Sequence, residues 1–360
     1  MKAIAIRRGE TKPTLVDVPR PAPDDGEVLV QTLRVGIDGT DHEVVRGTHG
    51  GYPTDEDYQI LGHEAVGVVV DATTTDFEEG DLVVPTVRRP PAVGSNTYFD
   101  RDEPDMAPAG EYVERGIAGA HGYMAEFFTS PERYLVSVPE EFAEYGFLVE
   151  PISNSEKAVE HAFASRSAFE WTPESALVLG NGPLGLLTLA MLNQDRGPYK
   201  SFDRTYCLGR RDRPDPTIDI IERLGATYVD SRTTPVPDIP TEYEPQDFIY
   251  EATGYAKHAF EVIEALAPSG VAALLGIPED WTFDVDGGSL HRDIVLENKA
   301  LLGSVNSHVP HFEAAKESLA EFPDWFVDEL ITGVYPPEAA ERAFETDDGV
   351  IKTVIEFDTL

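Results

Sequence analysis

The chain has a single cysteine, Cys207, in 360 residues. That excludes an intrachain disulfide and any zinc knot built from several thiolates. Lysine is also scarce, with 8 against 20 arginines, and together they face 66 acidic residues for a formal net charge of −38. So acidic a surface repels duplex nucleic acid and anionic membranes, although a local basic pair can still hold one phosphate. At about 1 M salt the Debye length is only about 3 Å, so the self-repulsion is screened and the composition reads as adaptation to a high-salt cytosol. No apolar run approaches the ~20 residues of a membrane span. The opening MKAIAIRRGE lacks the apolar stretch of a signal peptide, so a cytoplasmic protein is expected.

What is present suffices for globular cores, since 41% of residues are hydrophobic and 9% aromatic. At about 150 residues per domain, this length predicts two domains. Residues 1–8 and 27–37 have the β-branched spacing of strands, as do 65–70 and 81–85. From Arg88 to Gly122, the prolines at 90, 91 and 104 and repeated glycines predict an irregular loop of the kind that usually serves function.

After Glu150-Pro151 the pattern changes. A helix is expected over 155–169, then short apolar strands at 175–180, 206–210, 226–230, 247–252, 271–276 and 300–305, separated by helical segments. Strands apolar throughout and alternating with helices predict a doubly wound parallel sheet covered on both faces, the α/β class. The last strand, 351–357, is expected to rejoin the first domain. The division is therefore 1–152 with 308–360, mostly β, and 153–307, the dinucleotide-binding part.

Gly180-Asn181-Gly182-Pro183-Leu184-Gly185 is a G-x-G-x-x-G pattern that follows the strand SALVL and opens an apolar helix. In that context the glycines allow the tight turn and the close approach of a pyrophosphate to the helix N-terminus. An NAD-selective site usually places an acid after the next strand; this chain has Arg210 and Arg211 there. Guanidinium groups match a 2′-phosphate, so NADP is expected, with NAD as a possible second cofactor. The ordinary reading of the pair is surface ion pairing with Asp212 and Asp215.

In the first part, Asp38, His63 and Glu150 offer one imidazole and two carboxylates to a zinc ion, with Glu64 as a further oxygen ligand or a supporting group. Each also has an ordinary reading: His63 as a buried core histidine, Asp38 as the residue that closes a turn.

The segments RVGIDGTDHEV, LGHEAVGVVV, VVPTVRRPP, VLGNG with LGLLTLAML, CLGRRDRPDPTIDIIE and LLGSVNSHV resemble the zinc-dependent medium-chain dehydrogenase/reductase superfamily, over essentially the whole chain. Within it they are most similar to the glucose 1-dehydrogenases of salt-loving archaea. The resemblance implies a GroES-like, mostly β catalytic domain joined to a Rossmann domain. It implies one catalytic zinc held by Asp38 and His63, with Glu64 and Glu150 exchanging or sharing the remaining protein position. Most zinc members have cysteine where Asp38 stands, and a carboxylate is a harder ligand. The four-cysteine structural-zinc loop of many relatives has no counterpart between 88 and 122.

By the same resemblance Thr40, Glu114, Glu150 and Asn306 contact the sugar. Asn181, Gly182, Pro183 and Leu184 line the pyrophosphate turn, and Leu275-Gly276-Ile277 with Ser304-Val305-Asn306 pass the nicotinamide half. Thr40 and Glu150 compete for the proton-handling role. The expected reaction is oxidation of β-D-glucose at C1 by NADP⁺ to D-glucono-1,5-lactone. The alternatives are a related aldose or polyol dehydrogenase acting on galactose, xylose or an alditol, and an NADP(H)-binding regulatory protein without chemistry. A homodimer is expected, with a homotetramer as the alternative.

Overall fold

Eleven successive residues, Glu27–Ile37, form the longest strand of the protein and organise its first unit. The computed structural model describes residues 1–72, 75–91, 96–347 and 349–360. The chain divides into one unit of Met1–Ser153 with Asn306–Leu360 and a second of Asn154–Val305.

In the first unit, strand Glu27–Ile37 pairs antiparallel with Glu64–Asp71, with Phe127–Pro131 and with Lys352–Glu356. Its Val28, Val30, Val35 and Ile37 side chains pack with Ile4, Ile6, Leu61, Val83, Tyr123, Met124 and Ile355 into one core. Fully burying each such aliphatic side chain contributes about 1.5–3 kcal/mol. The last strand, Lys352–Glu356, lies beside the 27–37 strand with Thr353 opposite Ile37. That register brings the C-terminal strand to the end of Glu27–Ile37 from which Asp38 follows.

Three local expectations need correction. Asp38, read as the residue that closes a turn, instead caps the helix Gly39–Arg46. The helix expected to start at 155 runs instead from Val149 to Ser165 and takes Glu150 and Pro151 into its first turn, where proline is tolerated because no intrahelical donor is needed there. The 88–122 segment is more ordered than a loop: Arg88–Arg89, Val113–Arg115 and Gly119–Ala120 form a small sheet. Between the first two strands lie helical turns at Thr97–Asp100 and Pro104–Met106. Strands of two or three residues are too short to show alternation, so the sequence carries no sign of them. Residues 92–95 of that segment lie outside the described residues.

In the second unit six parallel strands stand in the order Thr227–Asp230, Arg204–Gly209, Ser175–Leu179, Gln246–Glu251, Leu266–Leu274, Ala300–Gly303. This is the doubly wound order, with its switch point beside Ser175–Leu179. Leu177, Leu179, Leu208, Val229, Ile249, Val262 and Ala272 form the core of this unit. Among the described residues no helix is long and apolar enough to cross a membrane.

Candidate active site

Asp38 is the N-cap of helix Gly39–Arg46. Its Oδ1 accepts the Asp41 N–H at 2.9 Å, and Asp41 Oδ2 accepts the Asp38 N–H at 3.1 Å. The two carboxylates thus satisfy donors that the first helical turn would otherwise leave open. Asp41, fully buried, also accepts the Gly62 N–H at 3.1 Å. This bond ties the helix start to the turn that presents His63. His63 Nε2 stands 3.6 Å from Asp38 Oδ2, and its Nδ1 3.8 Å from Asp41 Oδ1.

Glu64 opens the next strand and points at Lys352 of the C-terminal strand, Nζ to Oε2 2.5 Å. Gly36 makes room for that pair, since a Cβ there would lie 2.2 Å from Glu64 Oε2. Glu150 is buried in the first turn of Val149–Ser165, where the helix dipole favours a carboxylate.

The charges act strongly on one another. Burial opposes the charge on Asp38, but His63 and Lys352 hold its carboxyl well below the usual range. Burial, reinforced by Asp38 and Glu64, pushes Asp41 up to about 7. Burial raises Glu64, with Lys352 opposing it. Burial works against the imidazolium of His63, yet Asp38, Asp41 and Glu150 raise its pKa well above the ordinary value.

Four carboxylates therefore gather with one lysine and one histidine. Buried negative charge in excess of its partners is costly unless a cation compensates it. The donors fit a divalent ion: in each of the groups Asp38–Asp41–His63 and His63–Glu64–Glu150, one ligand atom per residue lies within 4.8 Å of the others. His63 Nδ1 is buried without a hydrogen-bond partner among the described residues.

Asp105, His308 and His311 form another group with metal-binding atom types. Here His308 Nδ1 already stands 2.8 Å from Asp105 Oδ1, and the His308 backbone N–H donates to His311 Nδ1 at 3.4 Å.

Of the remaining sugar-site candidates, Thr40 is half-buried in the first turn of Gly39–Arg46. Glu114 sits on Val113–Arg115 with Oε1 accepting from Arg88 Nε at 3.0 Å. Asn306 holds a positive φ of 57°, and its Oδ1 is buried without a hydrogen-bond partner among the described residues. An amide oxygen left open in this way is suited to a ligand hydroxyl. Glu114 and Asn306 lie outside both His63-containing groups.

The nucleotide fingerprint occupies the turn between Ser175–Leu179 and helix Pro183–Leu192. A Cβ on Gly185 would fall 1.8 Å from the Gly180 carbonyl oxygen, so glycine is what lets the helix pack on the turn. A Cβ on Gly182 would meet nothing within 4 Å, which leaves the space a pyrophosphate needs beside the helix N-terminus. Asn181 Nδ2 donates to Thr217 Oγ1 at 2.7 Å. Arg210 and Arg211 are exposed after strand Arg204–Gly209; the Arg211 N–H donates to the Tyr228 hydroxyl at 2.8 Å, and its Nε stands 3.9 Å from Asp215.

Leu275 and Gly276 follow the Leu266–Leu274 strand, both N–H groups donating to the Glu251 carbonyl, and Ile277 beyond them is exposed. Ser304 is buried with its N–H on the Leu274 carbonyl, and Val305 is exposed with its carbonyl accepting from Lys157 Nζ at 3.1 Å.

Sequence reasoning missed Asp41, Lys352 and Arg88. Asp38-x-x-Asp41 is a capping-box spacing, but the same four residues also spell a turn. Lys352 is one of eight lysines and is buried at the first position of the strand Lys352–Glu356, so the scarcity of lysine was its only signal. Arg88 gave none, because its partner lies 26 residues away on a strand too short to recognise.

A family model described as the alcohol dehydrogenase GroES-like domain matches residues 24–140, and one described as the glucose dehydrogenase C-terminus matches residues 143–357. The chain is 66% identical over 360 residues to the glucose 1-dehydrogenase of Haloferax mediterranei, with 100% of each chain covered. It is 61% identical over 360 residues to that of Haloarcula marismortui, again with 100% of both covered. The solved structure of Haloferax mediterranei glucose dehydrogenase in complex with NADP, Zn and gluconolactone matches it with a TM-score of 0.97 and 66% identity, over 100% of both chains.

Proposed function

The chain belongs to the glucose dehydrogenase family of the zinc-dependent medium-chain alcohol dehydrogenases, and on that basis we propose the residue roles by which it oxidises β-D-glucose at C1. It is an NADP-dependent glucose 1-dehydrogenase with a catalytic zinc. The observation that carries this is the match to the Haloferax mediterranei structure holding NADP, Zn and gluconolactone, together with donor groups here that fit a divalent ion.

The reaction takes a hydride from C1 and a proton from the C1 hydroxyl, leaving D-glucono-1,5-lactone and NADPH. When bound, zinc supplies Lewis-acid polarisation of the C1 oxygen and NADP⁺ the hydride acceptor. Asp38, His63 and Glu150 are the protein groups for zinc. Glu64 stays behind them, its charge answered by Lys352, and is available to exchange with Glu150. Thr40, two residues after Asp38, holds the C1 hydroxyl and its departing proton. Glu114 accepts from a sugar hydroxyl, and Asn306 does so through its open Oδ1. Asn181 to Leu184 carry the pyrophosphate on the helix N-terminus, with Gly185 packing the helix against the turn. Arg210 and Arg211 take the 2′-phosphate. Leu275 to Ile277 and Ser304 to Asn306 serve the nicotinamide half.

A homodimer formed through the edge strand Ala300–Gly303 completes the reading. Among the described residues that strand pairs on one side only, the preceding helix Gly287–Leu296 buries no residue, and Val295 and Leu296 are 59% and 68% exposed. Unpaired edges with exposed apolar neighbours are usually covered. Light scattering in molar salt should report a dimer that Leu296→Glu weakens; a monomer in the unmodified protein would overturn this part, and a tetramer would call for a second interface.

The substrate reading is tested by turnover on glucose, galactose, xylose and sorbitol with NADP⁺. Glucose should give the highest kcat/KM, and His63→Ala should abolish turnover on all four. A higher value on an alditol would move the assignment to a polyol dehydrogenase.

A further inference from the structure

Arg88 is 2% exposed, a guanidinium almost wholly withdrawn from water in a chain with few basic residues. A buried charge persists only where partners repay its desolvation. Its Nε donates to Glu114 Oε1 at 3.0 Å, its Nη1 donates to the Asp105 carbonyl oxygen at 2.7 Å, and its guanidinium lies 3.7 Å from the Tyr112 ring centroid. The two hydrogen bonds and the ring fix the guanidinium in position and plane. Glu114 Oε1 is thereby occupied, and no other described residue bonds to Oε2.

The chain of contacts continues. The Asp105 side chain stands 2.8 Å from Nδ1 of His308, the N-cap of helix Val309–Ala320. His308 is two residues beyond Asn306, whose backbone is held at positive φ. Glu114 and Asn306, far apart in sequence, are thus linked through Arg88, Asp105 and His308, all within the first unit.

We propose that Arg88, with the Asp105–His308 pair, is the positioning frame of the sugar site: Arg88 orients the Glu114 carboxylate so that Oε2 faces a sugar hydroxyl, and the pair fixes the turn that presents Asn306. This rests on the reading of Glu114 and Asn306 as sugar contacts. Arginine is required because a planar fork serves a carboxylate, a carbonyl and a ring at once. Lysine keeps the charge and loses the fork.

The experiment compares Arg88→Lys, Glu114→Gln and Asp105→Asn in molar salt, with steady-state constants for glucose, for each monodeoxyglucose and for NADP⁺. Arg88→Lys should raise the glucose KM about ten- to a hundred-fold, as expected when a charged hydrogen bond is misdirected. It should leave kcat and the NADP⁺ KM within about twofold, the signature of lost binding without lost chemistry. The penalties of Arg88→Lys and Glu114→Gln should vanish on the same monodeoxyglucose, the one lacking the hydroxyl that Glu114 accepts. A merely structural role for Arg88 would weaken all sugars alike.

Asp105→Asn keeps the carbonyl that Arg88 uses and removes the charge facing His308; it should raise the glucose KM several-fold and spare NADP⁺. It also decides the proposal if Arg88→Lys does not fold. An unchanged glucose KM in Glu114→Gln overturns the reading of Glu114 itself. A raised KM in Glu114→Gln with no change in Arg88→Lys and Asp105→Asn overturns the positioning frame and leaves Glu114 standing.

Discussion

Lys352 Nζ lies 2.5 Å from Glu64 Oε2, with the two side chains 1% and 2% exposed. The last strand of the protein thus delivers a cation to an acid that adjoins His63 in sequence. The pairing gives Glu64 a role distinct from that of Asp38 and Glu150, because its charge is answered from within the chain.

Replacing Lys352 by Met strands the Glu64 carboxylate in the core. Removing one partner of a buried ion pair costs about 3–5 kcal/mol. Denaturant unfolding in molar salt should show a loss of that order, and the double replacement Lys352→Met with Glu64→Gln should recover most of it. A double variant no more stable than the single one would mean that the pair is not what the lysine stabilises.

Metal removal has a proton signature. In the metal-free protein, burial disfavours the His63 imidazolium, but Asp38, Asp41 and Glu150 prevail and raise its pKa well above 6.5. A raised histidine stabilises the metal-free fold fully below its unfolded pKa, and that contribution is lost as pH rises through the folded one. Zinc needs the neutral imidazole, so its uptake at neutral pH releases a proton and its affinity rises with pH. Titration calorimetry in two buffers of different ionisation enthalpy should show that release. A buffer-independent heat would contradict the charged state assigned to His63.

Asp38 both caps a helix and faces His63, and two variants separate these tasks. Asp38→Cys and Asp38→Ala each remove the cap, which costs about 0.5–2 kcal/mol. Only the cysteine offers zinc a new ligand. The expected outcome is similar loss of stability in both, with zinc retained and turnover measurable in Asp38→Cys alone. Equal zinc loss in the two would remove Asp38 from the ligand set.

The double variant Arg210→Ala with Arg211→Ala should raise the NADP⁺ KM at least tenfold, since each lost hydrogen bond to a charged phosphate is worth about 1.5–3 kcal/mol. NAD⁺, lacking that phosphate, should change far less. Equal effects on both cofactors would assign the arginines to surface ion pairing, such as the contact between Arg211 and Asp215.

The parallel sheet was legible because its strands carry unbroken apolar runs, such as 176–179 and 271–274, where a strand with one solvated face would alternate. Strand Ser175–Leu179 followed by Gly180 to Gly185 carries both the sheet pattern and the ligand turn in eleven consecutive residues. Asp38, His63 and Glu150 were legible as ligand types, and the resemblance added their grouping. Helix Gly39–Arg46 was hidden because Asp-Gly-Thr-Asp also spells a turn, and only the reciprocal bonds between Asp38 and Asp41 distinguish the two. The frame around Arg88 was invisible for another reason: Arg88, Asp105, Glu114 and His308 meet through tertiary contacts that no local periodicity encodes.

The central claim is that this chain transfers hydride from glucose to NADP⁺ at a zinc-dependent site. Its most direct test follows the near-ultraviolet absorbance of NADPH with β-D-glucose and NADP⁺ in molar salt, before chelation, after EDTA and after zinc is restored. The account predicts glucose-dependent NADPH formation that EDTA abolishes and zinc restores. Turnover indifferent to EDTA in protein shown to be metal-free, or none with folded, zinc-loaded protein, would contradict it.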